Sequence, residues 1–195
     1  MTAIDAQLAD EVKAIKALIQ SFFDAINAAD TRALQSHFVP SADLTIIRQD
    51  PPLPHGTPIS SSSSSSPGAG ALATQVEDEE EERLTVVIRT TIEKFIKLLD
   101  DDKKRREGRP GPALHETPDL DATEVRVDAL FAVAWSPFEV TFDGALHHYG
   151  TMVYTLGRVD DVGGGRKGWR VEGLTQNYRR TPGWPEGGGE SLGVV

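Results

Sequence analysis

His148, with Glu139 nearby in sequence, is the residue whose type best suits proton transfer. An imidazole with an unperturbed pKa of about 6.5 exchanges protons near neutrality, so His148 is the first acid–base candidate. Glu139 is a candidate to orient it, or to act as a base itself if burial raises its pKa. Tyr154 and Asn177 can donate hydrogen bonds to a substrate oxygen. His37 and Asp43, further back in the chain, are candidates for the same mouth. The competing reading is structural: a core histidine bonded to a neighbour, and a glutamate facing water. A catalytic site needs several groups in mutual geometry, which the residue types alone do not supply.

Other chemistries fit less well. Adjacent strand residues point to opposite faces, so His147 and His148 cannot both ligate one ion without a bulge. No HExxH spacing occurs, and neither a metal nor a cofactor is expected. Gly163-Gly164-Gly165 has no following helix to hold a phosphate. Ser60–Ser66 is low-complexity sequence rather than a nucleophile elbow. Without a single cysteine there is no thiolate, disulfide or zinc ribbon.

These candidates must be positioned by strands. Residues 130–142, 145–158 and 169–179 read as three hairpin-linked strands, with a short lead-in at 124–127. Asp143-Gly144 between the first two suits a type I′ turn. Alternation from that turn places Leu146, His148, Gly150, Met152, Tyr154 and Leu156 on one face, the expected cavity face. His147, Tyr149, Thr151, Val153 and Thr155 fall on the other. Trp135 and Glu139 share a face, although Pro137 marks a bulge beyond which facing is uncertain.

The helices precede the sheet. Leu8, Val12, Ile15, Ile19, Phe22 and Ile26 form one helical stripe over residues 3–29. A coiled-coil seam is the alternative for that stripe. Asp30 looks like the N-cap of a second helix over 31–38, ended by Pro40. Residues 43–48 read as a strand. Over 84–99, β-branched residues compete with the helical spacing of Leu84, Ile88, Ile92, Phe95 and Leu99, and the length favours a helix. Residues 114–117 suit a short edge strand.

Composition bounds the function. A chain of 195 residues with 38% hydrophobic content is one domain carrying polar inserts. Its net charge of −10 disfavours nucleic acid or an anionic membrane as partner. The start lacks a signal-peptide pattern and no run is long enough to span a membrane, so a cytoplasmic protein is expected. The Pro-, Ser- and Glu-rich segment 50–82 reads as a flexible insertion, either a tolerated loop or a phosphorylated or acidic docking tract. Residues 101–113 read as a charged loop, and 180–195 as a loose tail.

The order helix, short helix, strand, helix, antiparallel strands resembles the NTF2-like (SnoaL-like) superfamily. The resemblance is carried by VRVDALFAVAWSPFEVTFDGALHHYGTMVYTL followed by GWRVEG, and by the opening FFDAINAADTRALQSHFVPSADL. It covers roughly residues 8–179 and implies an α+β cone, with helices packed on a strongly curved, mainly antiparallel sheet. Such a cone leaves a cavity between its layers. The resemblance implies a single domain over 1–179, and the apolar cavity face, thin in charged groups, favours binding of a small hydrophobic molecule there. Trp135, Met152, Tyr154, His37, Asp43 and Asn177 are then ligand-binding candidates, with His148 and Glu139 the catalytic ones. The alternatives are a cofactor-independent isomerase, dehydratase or cyclase using acid–base residues, and a homodimeric interaction module. A homodimer through the outer sheet face is expected, because no helix is left to cover Tyr149, Thr151, Val153 and Thr155.

Overall fold

The computed structural model describes residues 3–51, 85–105, 112–160 and 167–181. The expectations for most of the 50–82 insertion, for 106–111, for the triglycine loop and for the tail beyond 181 lie outside those residues.

Helix α1 (Ala3–Asn27) forms on the stripe that its spacing predicts. Ile15, Ile19, Phe22 and Phe23 are buried, whereas Leu8 is 47% exposed because the first turns run past the core. Phe22 meets Phe23, Phe38 and Tyr154 edge to face, with ring centroids 5.3, 5.9 and 5.9 Å away. Off the stripe, the Glu11 carboxylate accepts from Trp169 Nε1 at 2.8 Å and pairs with Arg158. That cluster ties the front half of α1 to the sheet.

The end of α1 is a Schellman cap. Ala29 has φ +50°, Asp30 N donates to Ala25 O at 2.9 Å, and Ala29 N donates to Ile26 O at 2.9 Å. Asp30 then caps α2 (Thr31–Ser36) by accepting from Ala33 N at 2.9 Å. The second helix is shorter than expected. His37 is its C-cap, and Phe38 already opens β1 (Phe38–Gln49). Pro40 therefore sits inside a strand rather than stopping a helix. It lies in the break between Phe38 and Asp43, where residues have no ladder partner, so its missing N–H costs no sheet hydrogen bond.

The expected helix over 84–99 is corrected. Residues 85–91 form β2 (Thr85–Thr91), antiparallel to β1, and only then does α3 (Ile92–Arg105) begin. The β-branched run Val86, Val87, Ile88, Thr90, Thr91 found a strand edge to pair with, and pairing overrode the helical spacing. At the other end α3 runs through Asp100–Arg105, which was expected as loop. Lys97–Asp101 and Arg105–Asp102 pairs lie along that extension.

The remaining strands are β3 (Leu114–Pro118), β4 (Glu124–Asp128), β5 (Phe131–Phe142), β6 (Ala145–Asp160) and β7 (Lys167–Arg180). They complete a seven-stranded sheet in the order β2-β1-β7-β6-β5-β3, with β4 also on β5. Among the described residues only the β1–β7 pairing is parallel. Asp143 and Gly144 both have positive φ, +50° and +80°, as a type I′ hairpin requires. Ladder irregularities in β1, β6 and β7 help curve the sheet around the helices. The core lies on the concave side, where Tyr154, Leu156, Val171 and Phe138 meet α1 and α2. The expected α+β cone is the observed fold.

Gly150 is fixed by a close approach. A Cβ there would lie 2.0 Å from the Asn177 carbonyl oxygen of β7. Gly150→Ala should therefore force β6 and β7 apart and cost roughly 1–3 kcal/mol, read as a lower urea midpoint. An unchanged midpoint would show that the strands yield freely.

Candidate functional site

Strand register sorts the inner face into rows that cross the sheet. The deepest holds Ala132, Leu156, Val171 and Phe38; above it come Ala134, Tyr154, Leu174 and Leu44, then Ser136, Met152, Gln176 and Ile46. A fourth runs Phe138, Gly150, Tyr178, Arg48. The outermost runs from Glu116 through Val140 and His148 to Arg180. Polarity thus rises from the bottom of the cone to its rim. Above these rows, Phe22 and Ala25 of α1 and Phe95 and Leu99 of α3 form the roof of a cavity of about 1030 Å³.

A bulge builds the rim. Val140 opposes His148 while Thr141 opposes Leu146, so His147 has no opposite residue. This extra residue brings both histidines to the cavity and leaves Leu146, expected inside, 39% exposed. Thr181 holds the bulge, donating its N–H to His147 O at 2.9 Å and its hydroxyl to the Leu146 and His147 carbonyls.

The two rings meet Nδ1 to Nδ1 at 2.7 Å. One Nδ1 must then carry the proton and the other accept it. With both rings neutral, one histidine is the Nδ1–H tautomer and its neighbour the Nε2–H tautomer. Burial, then His147 and the Arg180 charge, push the His148 pKa down to about 3. Burial and Arg180 lower that of His147 as well. The His148 ring packs on Tyr178, centroids 4.4 Å apart, and edge-on to Phe138 at 6.1 Å.

Glu116 lies at the opposite end of the rim. The Asn27 side chain grips its backbone, accepting from Glu116 N at 2.7 Å and donating to Glu116 O at 2.8 Å. Its carboxyl has no such help. Oε2 is buried with no hydrogen-bond partner, and burial raises the pKa to about 7. Burial and the Glu116 charge also raise that of Tyr154, whose hydroxyl donates to Met152 Sδ at 3.2 Å.

Of the residues singled out from sequence, His148, Met152 and Tyr154 lie on the concave face as alternation predicted; His148 and Met152 line the cavity, and Tyr154 packs in the core beneath it. Glu139 and Trp135 do not. Both sit on the convex face, where Glu139 pairs with Tyr149 and Trp135 is 54% exposed. The sheet itself separates Glu139 from His148, so the two cannot form an acid–base pair. Asn177 also points to the convex side, between Thr151 and Ile47. Asp43 is exposed on β1. His37 is occupied at the α2 terminus, its Nε2 2.9 Å from Ser21 Oγ, and lies off the cavity wall.

Sequence reasoning missed Glu116, Arg48 and Arg180. Glu116 lies in a five-residue strand too short to show a period. The positions of Arg48 and Arg180 follow only from the parallel β1–β7 pairing. Among the described residues no cluster of three or more His, Asp or Glu could hold a metal ion, and no helix is long and apolar enough to cross a membrane.

The buried carboxyl makes stability depend on pH. The folded state keeps the Glu116 proton up to about pH 7, whereas the unfolded chain releases it near 4.5. Stability is fully present below about pH 4.5 and declines as pH rises through 7. Glu116→Gln should remove a penalty on the order of 3 kcal/mol at about pH 8 and change little at about pH 4. Urea melts of both proteins at the two pH values check this; a difference that does not grow with pH would place Glu116 in water.

No family model matches the chain, and no curated protein matches it significantly in sequence. Solved structures do match in shape. A protein of unknown function from Mycobacterium tuberculosis superposes with TM-score 0.55 at 14% identity, over 93% of this chain and 77% of that one. An NTF2-like protein with a cystatin-like fold from Novosphingobium aromaticivorans gives 0.52 at 16% identity, over 99% and 95%. A conserved protein from Planctomyces limnophilus gives 0.51 at 12%, over 89% and 98%. At these identities the likeness concerns fold alone, and with the layers, strand order and cavity described above it establishes that this chain has the NTF2-like, cystatin-like α+β fold.

Proposed function

We propose that the protein binds a small, largely apolar molecule in the cavity between sheet and helices. The supporting observation is the cavity itself. About 1030 Å³ of space inside a chain of this size forgoes apolar contacts that a filled core would make, and a ligand restores them. Its lower rows present Leu44, Ile46, Met152 and Leu174, with Phe22 and Phe95 opposite. His148, neutral across the physiological range, serves as a hydrogen-bonding wall rather than a general base.

The neutral dye N-phenyl-1-naphthylamine reports such a site by brightening when it leaves water. One dye should bind per chain, saturably, and Met152→Trp should weaken it by about tenfold or more by filling the space. Trp135→Ala, on the convex face, should change nothing. Failure of the dye to saturate would reject the reading.

A second reading concerns assembly. We infer that the convex face joins two copies of the chain into a homodimer. Phe131 and Trp135 of β5 and Tyr149 of β6 are 45, 54 and 43% exposed there, in line with partly exposed Val153 and Thr151. Among the described residues no helix covers them, and a contiguous aromatic surface favours association. Light scattering at tens of micromolar should give a dimer mass. Trp135→Glu should return it to monomer; a wild-type monomer rejects the interface.

A further inference from the structure

Arg48 and Arg180 reach the cavity rim from two neighbouring strands, β1 and β7, and they share a single counter-charge. Asp50 Oδ2 lies 3.1 Å from Arg48 Nη2, and Asp50 Oδ1 lies 3.4 Å from Arg180 Nη1. Among the described residues this is the one acidic partner either guanidinium has, so the cluster retains about one positive charge. Arg48 Nε is moreover buried with no hydrogen-bond partner there. A buried, unused guanidinium donor is costly in a finished core. It is what a site that awaits an acceptor leaves open.

The neighbours do not supply that acceptor. His147 and His148 bond to each other. Tyr178 lies over His148. Glu116, the remaining acid of this row, stands on β3, three strands from Arg180, or about 14 Å at the usual strand spacing.

We infer that this corner is a carboxylate site, and that the ligand of the cavity is a hydrophobic monocarboxylic acid with its head at Arg48 and Arg180 and its tail toward Met152 and Leu174. The inference rests on the binding reading above. One excess positive charge matches one carboxylate, and planar guanidinium groups match its two oxygens in a fork. A phosphate monoester would bring nearly two charges to a site that neutralises one. The tail has room: Arg180 and Leu174 are six residues apart on β7, about 20 Å at the usual rise per residue.

The test compares ligands of equal length and different heads. Decanoate, decanol and decylamine are titrated against dye-loaded wild type, and decanoate binding is also measured by calorimetry without dye. Decanoate should displace the dye at a concentration lower than decanol by about tenfold or more, with decylamine weakest. Arg180→Gln and Arg48→Gln should remove the preference for acid over alcohol, while Arg126→Gln, exposed on β4, keeps it. Equal potency of decanoate and decanol in wild type overturns the carboxylate site and leaves the apolar cavity standing. A preference that survives in both Gln variants overturns it too. Absence of dye binding and of decanoate heat rejects both readings together. The wild-type comparison decides even where a Gln variant fails to fold.

Discussion

Everything in the cavity depends on the register of β6. That strand is started by a turn whose two central residues both have positive φ, and it pairs along nearly its whole length with β5 on one side and β7 on the other. Because side chains alternate strictly, a slip of one residue would send Met152, Tyr154 and Leu156 to solvent and bring Tyr149, Thr151 and Val153 inside. Asp143-Gly144 fixes the start, and Gly150 fixes the spacing to β7. The interruption of the β5 ladder at His147 is what makes the rim differ from the rest of the cone. Without the bulge, His147 would point away from His148 and the ring-to-ring hydrogen bond could not form.

The same logic explains what could be read from the residues in order. Local, periodic signals survived: the α1 stripe, the Asp30 cap, the type I′ turn and the facing of β6 from His148 onward all reflect physics within a few residues. Features set by partners distant in sequence did not. Residues 84–99 carry apolar side chains at helical spacing, yet the free edge of β1 drew Thr85–Thr91 into a strand. Phe38 begins a strand because β7 lies alongside it. Pro137 suggested a bulge in β5, yet it stays in register opposite Thr151, and the residue displaced is His147 on the neighbouring strand. A bulge is a property of a pair of strands, and one strand's sequence shows only half of it.

Candidate residues fared according to the same division. His148, Met152 and Tyr154 were placed by alternation alone, and they lie on the concave face. Glu139 was paired with His148 by type, as an acid beside a base. The register instead opposes Glu139 to Tyr149 and gives His148 the apolar Val140. Proton exchange needs a partner to stabilise the imidazolium, and burial beside Arg180 does the reverse. The rim groups, Glu116 and the Arg48–Asp50–Arg180 cluster, come from three segments far apart in sequence. Only the folded sheet assembles them.

The rim also shows how this fold tolerates polar groups that a packed core would reject. Asp50 bridges two guanidinium groups, and each histidine meets part of the other's hydrogen-bonding capacity. What stays unmet among the described residues is one Glu116 oxygen and the Arg48 Nε on the cavity side of the sheet, and the Asn177 Oδ1 on the other. Each carries a desolvation cost of a few kcal/mol at most, tolerable because Ile15, Ile19, Phe23 and Tyr154 form a separate, well-filled core below. The division is spatial. Rows near the bottom of the cone hold the fold together, and rows near the rim are free to hold charge. An acid at one end and an unsatisfied guanidinium at the other give the rim a direction, so an amphipathic ligand entering it has one orientation that matches charge and one that does not.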